Sequence, residues 1–292
     1  MADRDLAVFV SFTPENIYYL TAHDTPGYYF YQASVVTPNR PPINVLRRIE
    51  TTNTLGRSWA RLAVGYEDRQ DPVEATLGLL RELGVAGKTV GAEADSWFIS
   101  PKRYQQLQGG IESEGGRLVD ASQVIEEQRV TKSAEELGHI RTAARAAERA
   151  MRVAIAASRA GTTENEVAAE MSAELIRAGS EYAGLPPFIT SGPRTSLAHS
   201  TWAGRSYVPG DVLNYELPGV VKRYCAALFR CPGERDRGDQ AGNDLGRGPQ
   251  CDQGGVPQAR HGAHAGTPYG ILGGDQLCAR LGRGPDHVDL GR

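Results

Sequence analysis

No stretch of this chain approaches the roughly 18 to 20 consecutive apolar residues that a membrane-spanning helix needs. The N-terminus has no basic segment followed by an apolar core and a small-residue cleavage site, so no signal peptide is expected. Cysteine is sparse. Cys225 sits in an apolar run, while Cys231, Cys251 and Cys278 are scattered at spacings that suit neither a disulfide framework nor a zinc site. An excess of positive charge is missing too, and a net charge of −3 gives no reason to expect nucleic acid or an anionic membrane as partner. What is present is a globular composition, 40% hydrophobic and 23% charged over 292 residues, long enough for two domains and expected in the cytoplasm.

Composition divides the chain into three. Residues 1 to about 125 read as mixed α/β, with strand-like runs at 6–10, 28–36, 43–46, 89–92 and 118–119. Between them Asp71 and Pro72 open a helical pattern through Leu77, Leu79, Leu80 and Leu83 that ends at Gly84. Residues 132–230 begin with Ser133 and Glu136, the spacing of a capping box. Leu137, Ile140, Ala144, Ala147, Met151 and Ala154 then step by three and four along one long helix, which Gly161 stops. Thr163 and Glu166 form a second box, followed by Val167, Met171, Leu175 and Ile176 on one face until Gly179. Two strand-like runs, 212–217 and 224–229, joined by a short connection through Gly219, Val220, Val221, Lys222 and Arg223, predict a hairpin.

From Cys231 onward these patterns stop. Residues 231–292 are rich in glycine, contain no Lys or Phe, and follow neither the helical nor the strand period. A disordered tail is the ordinary reading. Because the chain's 32 basic residues are almost all arginine, a GC-rich gene read out of frame after about Arg230 explains the tail better. Shifting GC-rich codons for residues 280–288 also permits a Trp-Gly-Glu sequence there.

The chemistry is concentrated in residues 188–230. An apolar strand from Phe188 runs into Ser191, Gly192 and Pro193 and delivers His199, whose side chain trades a proton near neutral pH. A solvated loop histidine is the bland alternative. Glu216 lies inside an apolar strand, where burial of a carboxylate demands a cationic or hydrogen-bonding partner or a ligand that supplies one. Exposure by strand alternation is the alternative there.

In combination, the helix pair after Ser133, the Ser191–Arg194 loop with His199, the turn at Pro209, Gly210 and Asp211, and the strand with Tyr224, Cys225, Leu228 and Arg230 resemble the first half of the creatinase/prolidase (pita-bread) catalytic domain. Residues 16–21 resemble the loop after the first strand of that family's N-terminal domain, so the likeness spans residues 1–230. The resemblance implies an α/β N-terminal domain over 1–125, a partial α+β pita-bread domain over 132–230, and a non-native or disordered tail over 231–292. It implies a hydrolase of a C–N bond in a small amide, amidine or peptide-like substrate, and homodimers among intact relatives. In the metal-dependent branch two aspartates follow the histidine, at positions that here hold Glu216 and Ala227. Alanine ligates nothing, so the chain is similar to the metal-free creatinase and ectoine-hydrolase branch, with no cofactor. A dinuclear Mn or Co centre belongs to the alternative, a metal-dependent Xaa-Pro aminopeptidase; a non-catalytic binding protein on the same fold is the second alternative.

By that likeness His199 is the acid/base, Glu216 the substrate-binding carboxylate, and Tyr28 and Phe30, in the aromatic run 28–31, reach a neighbouring subunit's site. A strand with packed tyrosines is the other reading of that run. The family's N-terminal domain starts with a helix before the first strand, so Met1 is expected to be an internal methionine. With its second half absent, the chain is expected to be inactive and poorly soluble or partly unfolded in its last third.

Overall fold

The computed structural model describes residues 4–230, and the expectations for the tail, with Cys231, Cys251 and Cys278, lie outside the described residues. The chain divides into two compact units, Met1–Thr131 and Lys132–Arg292.

The first unit is built on β1 (Val8–Ser11), β2 (Ala33–Thr37), β3 (Arg40–Arg47), β4 (Ala63–Tyr66), β5 (Thr89–Ala92) and β6 (Arg117–Asp120), in the sheet order β4-β3-β2-β1-β5-β6. β1 pairs antiparallel with β2 and parallel with β5, so the sheet is mixed. Helices α1 (Pro14–Thr21), α2 (Thr51–Arg57), α3 (Pro72–Glu82), α4 (Pro101–Ser113) and α5 (Val124–Val130) complete it. Strand alternation sends Val8, Val10, Val35 and Val45 to one face, where they bury against Leu77 and Leu80 of α3 and Leu107 and Ile111 of α4. Phe9 points to the other face, against Leu6, Ala121 and Ile125. The Asp71 cap is formed, its carboxylate accepting from the Val73 N–H at 2.9 Å.

Two expectations fail in this unit. Residues 16–21 form helix α1 rather than a loop, with Pro14 at its first turn. The strand expected over 28–36 starts only at Ala33. Tyr28, Tyr29 and Phe30 lie in a turn after Pro26 and Gly27, where aromatic side chains had suggested β structure.

A buried carboxylate ties this unit together. Glu93, 2% exposed at the end of β5, accepts from Ser11 Oγ at 2.7 Å, the Phe12 and Thr13 N–H groups at 2.8 and 2.9 Å, and Asn16 Nδ2 at 2.8 Å. Four donors replace the water it has lost. They fix the entry to α1 against the neighbouring parallel strand.

In the second unit, α6 (Ala134–Ala157) and α7 (Glu164–Arg177) pack on a three-stranded antiparallel sheet of β7 (Phe188–Ser191), β8 (Leu213–Val221) and β9 (Tyr224–Arg230), in the order β7-β8-β9. Both capping boxes are complete. Met151, Ala154, Val167, Met171, Ile189, Tyr215 and Leu217 share one core. The buried stripe of α6 runs through Ala143, Ala146, Ala147, Ala150, Met151 and Ala154, so Leu137, Ile140 and Ala144 are only half-buried, and Ile176 of α7 is exposed.

The alanines have a cause in β8. A Cβ on Gly219 would stand 2.0 Å from the Ala143 carbonyl oxygen, so strand and helix backbones approach too closely for larger side chains. The hairpin is tighter than its sequence suggested: its connection is Lys222 and Arg223 alone, both at positive φ (49° and 60°), the conformation of a type I′ turn. Neither residue is glycine, and Glu181 compensates by accepting both turn N–H groups at 3.0 Å.

Candidate active site

β8 presents two faces. Leu213, Tyr215 and Leu217 enter the core beneath α6 and α7, whereas Glu216 and Pro218 look outward with the exposed face of β9. Register sets Phe188 of β7 opposite Glu216 on one side and Phe229 of β9 opposite it on the other. Directly paired residues of an antiparallel sheet share a face at about 4.5–5.5 Å between Cβ atoms. Glu216 therefore stands between two phenyl rings. Pro218 is paired with Ala227, which puts Ala227 on the same face, diagonal to Glu216.

The deep burial expected for Glu216 is not found. It is half-buried, on the open side of the sheet, and no described residue makes an ion pair or hydrogen bond with its carboxylate. Strand alternation decided its exposure, as the alternative held.

His199 reaches the same place by a different route. After β7 the chain makes a short 3₁₀ turn at Gly192–Ser196 and then a loop. His199 is exposed, and its ring lies 5.6 Å from that of Phe188, tilted by 54°. Phe188 is thus the common neighbour of His199 and Glu216. The structure brings those two residues to one patch of one unit. Tyr28 and Phe30 lie in the other unit, where Tyr28 meets Phe98 edge-on and Phe30 lies under the Arg47 guanidinium at 3.9 Å.

The residues that fix the His199 loop were not legible in the sequence. Glu164, the first residue of α7, is completely buried. It accepts from Ser191 Oγ at 2.7 Å and from the Ala203 N–H at 2.8 Å, and forms an ion pair with Arg194. Arg194 also donates to the Thr201 carbonyl at 2.7 Å and to Ser200 Oγ at 3.2 Å. Arg205 continues the network, donating to Ser191 Oγ at 2.8 Å and to both oxygens of Asp211 at 2.5 and 2.7 Å. Burial pushes the Asp211 carboxyl up, but Arg205 and the Val208 N–H more than offset this and hold it below the usual carboxylate value. The only sequence signal was Glu164's place one residue after a helix cap, which reads as ordinary helix-start chemistry.

Donor chemistry is thin for a metal. The face holds one carboxylate, Glu216, with alanine diagonal to it, and no group of three or more His, Cys, Asp or Glu among the described residues is arranged to hold an ion. Two adjacent divalent cations need bridging carboxylates to offset their repulsion. The described residues do not fit a metal centre. No helix among them is long and apolar enough to cross a membrane.

The first unit is a mixed α/β sheet with helices, and the second is a helix pair on an antiparallel sheet with a histidine loop in ring contact with its first strand. The match to family models is specific. Residues 1–131 match the creatinase/prolidase N-terminal domain, and residues 138–231 match metallopeptidase family M24. The chain belongs to the creatinase/prolidase, or pita-bread, family. It is similar to an ectoine hydrolase of Halomonas elongata (25% identical over 248 residues, covering 79% of this chain and 62% of that one). It is also similar to a putative dipeptidase of Bacillus subtilis (25% over 218 residues, 75% and 59%). Among solved structures, the X-Pro aminopeptidase of Thermotoga maritima shares the fold at TM-score 0.68 and 18% identity, covering 80% of this chain and 63% of that one. A Pyrococcus furiosus prolidase does so at 0.65 and 20%, covering 80% and 67%. The chain spans about three-fifths of the length of the curated relatives it matches.

Proposed function

We propose that residues 132–230 are the first half of the catalytic domain of a hydrolase that cleaves a C–N bond in a small amide, amidine or peptide-like substrate without a metal. In this reading His199 takes a proton from water as the oxygen attacks the carbon, and returns it to the nitrogen as the C–N bond breaks. Glu216 holds the cationic part of the substrate. The observation that carries the reading is Glu216, a carboxylate with no partner among the described residues, set between Phe188 and Phe229, where Phe188 also meets the His199 ring. A carboxylate between aromatic faces suits a guanidinium, amidinium or ammonium group, which gains from charge and ring together. Alanine at 227 favours this reading over a metal-dependent aminopeptidase.

Tyr28 and Phe30 are assigned, in the same proposal, to a neighbouring subunit's site in a homodimer. The aperiodic, glycine-rich composition of 231–292 supports a shifted reading frame, which would leave this chain inactive. The test is to read the nucleotide sequence from codon 230 onward in three frames and assay the frame-restored protein. Metal-free turnover that falls by a factor of about 10² to 10⁴ on His199→Ala supports the reading. Turnover that appears only with added Mn²⁺ or Co²⁺ replaces it with the aminopeptidase. No turnover, with ligand binding unchanged by His199→Ala, replaces it with a binding protein.

A further inference from the structure

His199 has φ of 48°, in the left-handed region. A side chain with a Cβ is disfavoured there, and the conformation persists only where the surroundings impose it. The ring of His199 itself makes no hydrogen bond among the described residues, and its contact with Phe188 leaves it exposed. The constraint comes from the loop's two ends. Arg194, five residues before His199, reaches across to the Thr201 carbonyl and Ser200 Oγ just after it. Glu164 receives both Arg194 and the Ala203 N–H. The loop 194–203 is therefore closed twice, by a side-chain fork across its mouth and by one buried carboxylate that grips both limbs.

We propose that Glu164 and Arg194 form a clamp that positions His199: they hold its backbone in the left-handed conformation that sets the ring on Phe188, the strand partner of Glu216. Neither touches the reacting atoms, so both are positioning residues. The geometry explains the choice of arginine. Its planar fork gives Nη1 to Glu164 while Nη2 serves Thr201 and Ser200, a division that the single ammonium of lysine does not reproduce. It also explains why the carboxylate is the first residue of α7. That helix, capped by Thr163, is anchored in the core through Val167 and Met171, so the grip on the loop is as rigid as the helix. Ser191 and Arg205 extend the grip to Asp211 at the turn before β8, which links the strand carrying Glu216 to the loop carrying His199.

The positional claim needs no turnover to test, and its catalytic meaning rests on the acid/base reading of His199. The full 292-residue chain, with its histidines labelled at ring carbon and nitrogen, is compared with Glu164→Gln/Arg194→Met, which removes both charges at nearly constant volume, and with Arg194→Lys. Hydrogen exchange of amides 195–202 is expected to rise by about tenfold or more in the double variant. The His199 ring signal is expected to move toward that of a mobile histidine, while amides 213–221 of β8 keep their protection. Arg194→Lys is expected to fall between the two. Unchanged exchange over 195–202, or an equal rise in β8, would overturn the clamp. If the double variant fails to fold, Arg194→Lys decides alone, and wild-type protection over 195–202 in that variant would refute the role of the fork. His199→Ala decides the acid/base reading separately: failure there leaves the exchange result, and hence the clamp, standing.

Discussion

Among the described residues each unit buries one glutamate almost completely, and the two differ in that only the second is paired with a cation. Glu93 in the first unit is surrounded by neutral donors: a serine, an asparagine and two backbone N–H groups. Glu164 in the second has one serine, one backbone N–H and, in addition, an arginine. Neutral donors suffice where the task is to fix a strand-to-helix junction, because every donor comes from the elements being joined. The second unit must restrain a ten-residue loop, 194–203, with little core of its own. There a long, forked, charged side chain spans a gap that short polar groups cannot. The sheets differ in the same sense. The six-stranded sheet buries side chains on both faces, while the described face of β8 and β9 that carries Glu216 is open. Architecture is concentrated in one unit and candidate chemistry in the other.

The contrast is most directly broken by single substitutions. Arg194→Met leaves the Glu164 carboxylate buried without its cation and is expected to cost about 3–5 kcal/mol. Asn16→Ala removes one of four neutral donors from Glu93 and is expected to cost about 1–2 kcal/mol. Equal losses in chemical denaturation would erase the distinction between the two carboxylates. Gly219→Ala is expected to cost about 1–3 kcal/mol by forcing β8 away from α6, with the change confined to the second unit. Ser133→Ala, which opens a capping box on the exposed start of α6, is expected to cost about 1 kcal/mol.

A pH experiment sharpens the comparison further. His23, in the first unit, is 3% exposed, with Nδ1 2.9 Å from Thr54 Oγ1 and no partner at Nε2 among the described residues. Burial lowers its pKa from the usual 6.5, and the nearby Glu50 and Asp24 oppose this only in part. The unfolded chain therefore binds a proton at this position before the folded chain does. The stability that His23 contributes is fully present above pH 6.5 and is lost as pH falls from there through the folded pKa. Hydrogen exchange of β2 and β3 amides between pH 7 and 5 should show this loss, and His23→Gln should flatten it. A profile unchanged by the substitution would remove His23 from the account.

Local rules carried well from sequence to structure. The Asp71 cap, both capping boxes and the hairpin strands depend on neighbours within a few residues, and all are formed. The run at Tyr28–Phe30 misled because aromatic residues favour strands generally, whereas Pro26 and Gly27 dictated a turn there. The helical stripe of α6 was displaced because Gly219, 76 positions beyond Ala143, draws β8 against it. At the candidate site His199 and Glu216 were legible as residue types in suggestive places. Their common neighbour Phe188 required strand register, and the Glu164–Arg194 clamp required knowing that residues 30 positions apart meet. No periodicity encodes either.

The central claim is that this open face takes an organic cation rather than a metal ion. NMR titration of the 292-residue chain with methylguanidinium and, separately, with Mn²⁺ tests it directly, with the His199 ring as reporter. The account predicts a saturable methylguanidinium shift at His199 that Glu216→Gln abolishes, and no stoichiometric Mn²⁺ binding at this face. Stoichiometric Mn²⁺ that broadens the His199 signal, with no response to methylguanidinium, would contradict it.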